Sequence, residues 1–427
     1  MMLPTVLLLM LIISRTQCSH YRGTMMTYYP QKTFSNGSVS VILRFKFNYR
    51  ACEVSSYSCT GNCGAESTIV TDAKIEEVSG IWCQSEKITS RLLPNNSPSQ
   101  LVFSGGGWFD TLNNIYSWRA VTSVELRHRS DTKKINVPPQ TTIFPALRVP
   151  SNCNVNINLL AFDPDEDEVR CRNAILSLNE CASPCTPPPV LSLSSNCTLS
   201  FSATASSNQG WYVAQMVMED FPRQSINLTH NDGSYVLKTT SDAISQIPMH
   251  FALLVDPAAP SCSEGNYLPR YLSPTPEHGT LFYSDVNQTL EINIRAVATH
   301  SMISELLYSG PSSVVKKSSG SGNFSLTWTP SVVDAGQSHP ICFVVQGSSS
   351  NSVYQSELRC IVVIVGSLPE PKPKFVNVLK LKISTTLSLK DDRDIIENLI
   401  TEELIRRGFP PGITVCLLNN GSLEVKG

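Results

Sequence analysis

The residues whose types and spacing could do chemistry lie between Cys153 and Cys171, in the string CNVNINLLAFDPDEDEVRC. Asp163, Asp165 and Asp167 alternate there, with Glu166 before Asp167 and Glu168 after it. In a loop, alternate carboxylates can converge on one hard cation, and calcium is the ion that suits such oxygens. Calcium takes about six to eight oxygens, more than one loop supplies. Glu219 and Asp220, which end the apolar run Val213 to Met218, are the carboxylates placed to complete the set. The candidate calcium ligands are therefore Asp163, Asp165, Asp167, Glu219 and Asp220. The plain alternative is a solvated turn, since Asp-Pro-Asp is good turn chemistry without a metal.

Other chemistry finds less support. Cys59-x3-Cys63 and Cys181-x3-Cys185 have zinc-like spacing, but neither has a second matched pair. The histidines are scattered, with no HExxH and no Gly-x-Ser-x-Gly, so no enzyme class is expected. Gly105-Gly106-Gly107 precedes Trp108 rather than a helix, which reads as a tight turn and not a phosphate cradle. A net charge of -2, with 16% charged residues, gives no electrostatic reason to expect nucleic acid or an anionic membrane as partner.

The 14 cysteines fall in sets. Cys52, Cys59, Cys63 and Cys83 form one; Cys153, Cys171, Cys181, Cys185 and Cys197 form another, closed to an even number by Cys262; Cys342 and Cys360 form a third. Disulfides within these sets are expected, with connectivity open. Cys416 is left over, for an intermolecular disulfide or for burial as a small hydrophobe. Leu3 to Ile13 has the length of a signal-peptide apolar segment, and Thr16-Gln17-Cys18 supplies small residues before a cleavage site, so residues 1–18 read as a signal peptide. No later run approaches the ~18 apolar residues of a membrane span, so no membrane insertion is expected after cleavage. Seven Asn-x-Ser/Thr sequons, at Asn36, Asn95, Asn196, Asn227, Asn287, Asn323 and Asn420, agree with export.

These residues need elements to hold them, and the pattern is mainly β. After the turn signal Asn36-Gly37, Val39, Val41, Leu43, Phe45, Phe47 and Tyr49 share one face, while Ser40, Arg44, Lys46 and Asn48 share the other. That alternation predicts a strand buried on one face. The expected architecture is three tandem antiparallel β-sandwich modules, at 19–137, 151–262 and 263–366, and a small C-terminal α+β unit at 375–427. Pro-containing connectors lie at 138–150 and 367–374. In the last unit Val376 to Ile383 reads as a strand, Asp391 to Arg407 as a helix stopped by Gly408 and Pro410, and Thr414 to Leu418 as a strand.

The second and third modules look like divergent copies. In the third, Leu290, Ile292, Ile294 and Ala296 alternate, then FSLTWTP leads through Asp334-Ala335-Gly336 to the strand Ile341 to Val345. In the second, Val155, Ile157 and Leu159 alternate, then Cys197 to Phe201 leads to Trp211 and Val213 to Met218. FSLTWTP followed by Asp-x-Gly is similar to the later half of immunoglobulin-like and cadherin-like extracellular repeats. FDPDEDEV resembles the acidic turn of dystroglycan-type cadherin-like repeats, with Glu166 in place of the usual Gly. The third module has Thr299-His300-Ser301-Met302 at the corresponding place, so calcium could serve only one copy. His20-Tyr21-Arg22-Gly23 resembles the opening of a family of secreted multi-domain proteins. The C-terminal unit is similar to the SEA fold, whose self-cleavage dipeptide Gly421-Ser422 resembles, although Leu423-Glu424 departs from the apolar run expected next. The resemblance implies a secreted glycoprotein that binds an extracellular protein or glycan, with a disulfide-linked matrix or mucus component as the alternative.

Overall fold

The computed structural model describes residues 20–366, 388, 391–407, 414–417 and 423–426, without the side chains of 67–71 and of most of 414–426. The expected signal peptide at 1–18, the connector at 367–374, the strand Val376 to Ile383, Asn420 and Gly421-Ser422 lie outside these residues. The chain forms two units, Met1–Leu368 and Pro369–Gly427.

Val39–Tyr49 becomes a central strand of the largest sheet. It pairs antiparallel with Tyr21–Thr33 on one edge and Trp82–Leu93 on the other. Ala65–Val78 extends the sheet beyond Trp82–Leu93. At the other end stand Ser117–Val124, Ser99–Gly106 and Ser58–Gly61.

The same sheet takes in strands expected in the second module, through Gln246–Asp256. One edge of this strand pairs with Gly210–Phe221 from Gln246↔Glu219 to Val255↔Gly210. Its other edge is divided. Gln246 faces Ser123 and Met249 faces Met25, and from Ala252 onward the edge runs parallel to Ala146–Pro150. Residues 138–150 thus end in a sheet strand, where the sequence suggested a connector. Five residues, ALRVP, are too few to show a period, and their partner is remote in the chain. Glu168–Asn173 adds to the outer edge of Gly210–Phe221.

Backbones come close where Tyr21–Thr33 meets Gln246–Asp256. Gly23 has φ +125°, and a Cβ there would lie 2.0 Å from the His250 carbonyl oxygen. Its neighbours anchor the corner. Tyr21 stacks on Trp118 at 4.0 Å between ring centroids and meets Trp108 edge-on at 4.4 Å. The Arg22 guanidinium lies 4.0 Å over Phe109 and 4.9 Å over Trp211, a cation–π arrangement. The His-Tyr-Arg-Gly string is therefore a packing device.

The second module's small sheet, Val155–Asn158, Thr198–Phe201 and Leu191–Leu193, buries Ile157, Leu199 and Phe201 in the main core. The third module is a sandwich. Leu290–Val297, Asn323–Trp328, Arg270–Leu272 and Val315–Gly320 form one sheet. Thr280–Ser284, Arg359–Val365, Ser338–Ser349, Met302–Ser309 and Ser352–Gln355 form the other. Ile341, Phe343, Val345, Ile361 and Val363 face the sandwich interior, with Trp328 fully buried. Cys342, Val344, Cys360 and Val362 belong to the main core instead. That sheet is buried on both faces and fastens the third module to the first.

In the C-terminal unit a helix spans Arg393–Arg406, and Thr414–Leu417 pairs with Leu423–Lys426. Ile396, Ile400 and Leu404 pack with Val415; the adjoining Ile395 and Leu399 are exposed, so the apolar stripe is narrower than its sequence suggests. Cys416 stands in the strand opposite Glu424.

Gly23→Ala is expected to cost about 3 kcal/mol or more, because it combines a left-handed backbone with a clash against another strand's main chain. Denaturant unfolding of the purified chain checks this, and a variant of wild-type stability would refute the crossing as a constraint.

Candidate functional site

The acidic turn is held by hydrogen bonds before any cation is considered. Asp163 Oδ1 accepts from the amides of Asp165 (2.8 Å) and Asp167 (3.2 Å), and Glu166 takes φ 64°. Glu166 thus occupies a left-handed position of the kind Gly fills most readily. The strand Glu168–Asn173 begins next and pairs with Gly210–Phe221, which puts Asp220 opposite Val169. Strand pairing thus brings together Asp163, Asp167 and Asp220. All three are buried, with oxygens within 4.8 Å of one another.

The other two expected ligands lie elsewhere. Asp165 Oδ2 accepts from the Val137 amide at 2.8 Å and lies 3.6 Å from Arg129 Nη1. Glu219 alternates to the opposite face of its strand from Asp220. There Arg172 grips it at 2.7 and 3.0 Å, and grips Glu180 at 2.6 and 2.7 Å.

The group missed by sequence reasoning is Arg129. Its side chain is among the most deeply buried of the described residues and reaches the cluster at Asp167. It donates through Nη1 and Nη2 to both Asp167 oxygens, through Nε and Nη2 to Asp131 at 3.1 and 2.8 Å, and through Nη1 to Asn136 Oδ1 at 2.7 Å. Burial works against its charge, but the hydrogen bonds to Asp167 and Asp131 outweigh that and raise its pKa. The pattern Glu125, Arg127, Arg129 against Val124, Leu126, His128 gave no sign of this, since alternation cannot tell a solvated face from one covered by a distant loop.

Asn136 turns its amide to donate to Asp220 Oδ2 at 2.7 Å, and Ser245 donates to Asp220 Oδ1 through N and Oγ, both at 2.7 Å. Asp163 Oδ2, buried, has no hydrogen-bond partner. Burial, then Asp220 and Asp167, raise the Asp163 carboxyl to about 8. Burial likewise raises Asp220. Asp163, Asp167 and Asp220 would supply only part of a calcium shell. The ion needs about six to eight oxygens, whereas the oxygens of Asp167 and Asp220 already receive N–H and O–H donors. Arg129 and a proton on Asp163 offset part of the cluster's negative charge.

A second buried polar centre joins the first and third modules. Arg44 Nη2 donates to Asp334 Oδ1 (2.9 Å) and Gln337 Oε1 (3.1 Å). Lys46 Nζ donates to Thr142 Oγ1 (2.7 Å) and the Gly310 carbonyl (3.0 Å). Tyr29 exchanges hydrogen bonds with the Ser338 backbone at 2.8 and 3.0 Å. Arg44 and Lys46 sit on the strand face that alternation marks as polar. That face is covered by the third module rather than by water.

The described cysteines from Cys52 to Cys360 pair within their sets. The bonds are Cys52–Cys83, Cys59–Cys63, Cys153–Cys262, Cys171–Cys197, Cys181–Cys185 and Cys342–Cys360. The two x3 pairs, read as disulfide or zinc spacing, each close on themselves. Cys153 and Cys171 flank the acidic turn but bond to other partners. Asn36, Asn95, Asn196, Asn287 and Asn323 are exposed, and Asn227 is half-buried within the strand Ile226–Thr229.

No protein-family model matches the sequence, and no curated protein matches it. Comparison with solved structures returns the human protocadherin-24 EC1-2 fragment (12% identity, TM-score 0.18, covering 55% of this chain and all of that one). It also returns the human desmocollin-1 ectodomain (10% identity, TM-score 0.18, 81% and 56%) and sidekick-1 immunoglobulin domains 1-4 (11% identity, TM-score 0.15, 80% and 74%). At such scores the likeness carries no argument; the fold class rests on the sheets described above.

Raised carboxyl pKa values mean that folding takes up protons. Their stabilisation is full below the ordinary Asp value of about 4 and is lost as pH rises through about 8 for Asp163. Asp163→Asn keeps the Oδ1 acceptor and needs no proton. Its melting temperature is expected to match wild type near pH 3.5 and to exceed it by several degrees near pH 8.5. Calcium should leave both unchanged; a calcium-dependent rise that Asp163→Asn loses would instead place the ion here. Arg129→Met should cost about 3–5 kcal/mol in chemical denaturation, because it strands buried carboxylates.

Proposed function

We propose that the chain acts outside the cell as a binding protein, presenting the surfaces of disulfide-stapled β-sandwich modules to an extracellular protein or glycan. The observation that carries this reading is the pairing of the cysteines from Cys52 to Cys360 into six disulfides. Disulfides on this scale belong to oxidising compartments. The apolar segment Leu3 to Ile13 would direct export, with the secreted chain starting at Ser19, and the sequon asparagines would carry glycans. No described helix is long and apolar enough to cross a membrane.

The buried chemistry supports a rigid presenter rather than an enzyme. In the acidic cluster Asp167 and Asp220 are engaged by Arg129, Asn136 and Ser245, and the Arg44 and Lys46 centre lies between packed modules. Both centres fix how modules sit against each other, and a rigid binding surface loses little entropy on association.

The secreted chain, fluorescently labelled, is expected to bind a subset of cell lines saturably and in competition with unlabelled chain. Loss of binding on reduction would accompany it. Uniformly non-saturable binding across a broad panel of cells and matrix preparations would sink the reading. N-terminal sequencing of the secreted product should begin at Ser19.

A further inference from the structure

Tyr235–Lys238 is the edge strand of a three-stranded sheet whose other members are Ile226–Thr229 and His128–Arg129. The inner face is well buried: Ile226 and Leu228 pack with Ile244, and Arg129 runs inward to the acidic cluster. The outer face is not. Tyr235 is 64% exposed and Leu237 58% exposed, and Val236 between them is 43% exposed at the rim. An edge strand with successive exposed apolar residues is a template for pairing with other chains, and folded proteins generally cover or charge such edges.

What lies at the centre of this face is Asn227, in the sequon Asn227-Leu228-Thr229. Asn227 stands directly opposite Leu237 in the register, and Thr229 opposite Tyr235. Directly opposed residues share a face with Cβ atoms about 5 Å apart, and diagonal neighbours such as Asn227 and Tyr235 are about 7–8 Å apart. The Asn227 side-chain amide donates to no described group; its backbone is engaged by Ser130, the N–H donating to Oγ and the carbonyl accepting from the amide. The other described sequons differ. Asn36, Asn95, Asn196 and Asn287 lie in turns or bends, and Asn323 opens its strand. Only at Asn227, among them, does a strand interior fix the direction in which an attached sugar leaves the surface.

We propose that an N-linked glycan on Asn227 lies across Tyr235 and Leu237 and covers the outer face of this sheet. The proposal rests on the export reading above. The apolar C–H face and acetyl group of the first N-acetylglucosamine suit the Tyr235 ring and the Leu237 side chain, as aromatic faces suit polarised C–H groups. The hydrated remainder of the glycan stands where a second chain would have to approach the free edge.

The test uses the full chain secreted from mammalian cells. Glycopeptide mass spectrometry is expected to find Asn227 occupied. Asn227→Gln, and independently Thr229→Ala, which keeps the asparagine but destroys the sequon, should raise the fluorescence of an apolar surface dye several-fold. Both should promote concentration-dependent self-association. Adding Tyr235→Ser and Leu237→Ser to Asn227→Gln should return both readouts to the wild-type level, and Asn323→Gln alone should change neither. An empty Asn227 beside occupied Asn36 or Asn323 overturns this proposal and leaves export standing. A secreted chain with no glycan at any sequon overturns the proposal and the glycoprotein reading together. An occupied Asn227 whose removal leaves dye binding and association unchanged overturns the proposal alone.

Discussion

Gln246–Asp256 has two edges and four partners, and the rest of the larger unit depends on how it shares them. One edge goes wholly to Gly210–Phe221. The other is divided between Ser117–Val124 and Tyr21–Thr33 at its start and Ala146–Pro150 at its end. Every backbone N–H and C=O buried along such a strand needs a partner, so the hand-over must be close. Gly23 makes that possible by bringing one main chain against the His250 carbonyl without a Cβ between them. The aromatic corner at Tyr21 and Trp118 then fills the space beside the crossing.

Sharing one sheet between modules buries polar faces that would otherwise meet water, and two arginines make this tolerable. Arg129 pairs with Asp167 of the acidic turn, and Arg44 with Asp334 of the third module. Both use several hydrogen bonds of fixed geometry, which is what lets a guanidinium keep its charge on burial where the pKa of a lone ammonium falls. Lys46 shows the contrast: desolvation, opposed by the Glu86 charge, lowers its pKa to about 8. Its partners are hydroxyls and a carbonyl rather than a carboxylate in contact. These centres hold orientation more than they add stability, since buried ion pairs gain little net free energy over well-packed apolar groups.

At the surface the problem is reversed, because apolar residues are left uncovered. The disulfides strengthen the scaffold mainly by limiting the unfolded chain, most for the long loop closed by Cys153–Cys262 with a separation of 109. They do nothing for the exposed edge at Tyr235–Lys238. A covering group there has to come from outside the packed core.

Much of this was legible in the chain itself. The period-2 runs at Val39–Tyr49 and Leu290–Val297 mark strands because side-chain direction alternates along an extended backbone, whatever the tertiary context. Helix end signals similarly mark Arg393–Arg406. Cysteine sets and sequons are local facts of composition. The candidate site was half legible: the turn chemistry of Asp163 to Asp167 is local, and Asp220 was within reach of it. Glu219 was misplaced because adjacent strand residues point to opposite faces, and the register that chose Asp220 is set by pairing with Glu168–Asn173. Arg129, Arg44 and the strand Ala146–Pro150 were not legible. A side chain's own sequence neighbours report its direction, but only packing against distant segments decides whether that direction ends in solvent or in a carboxylate.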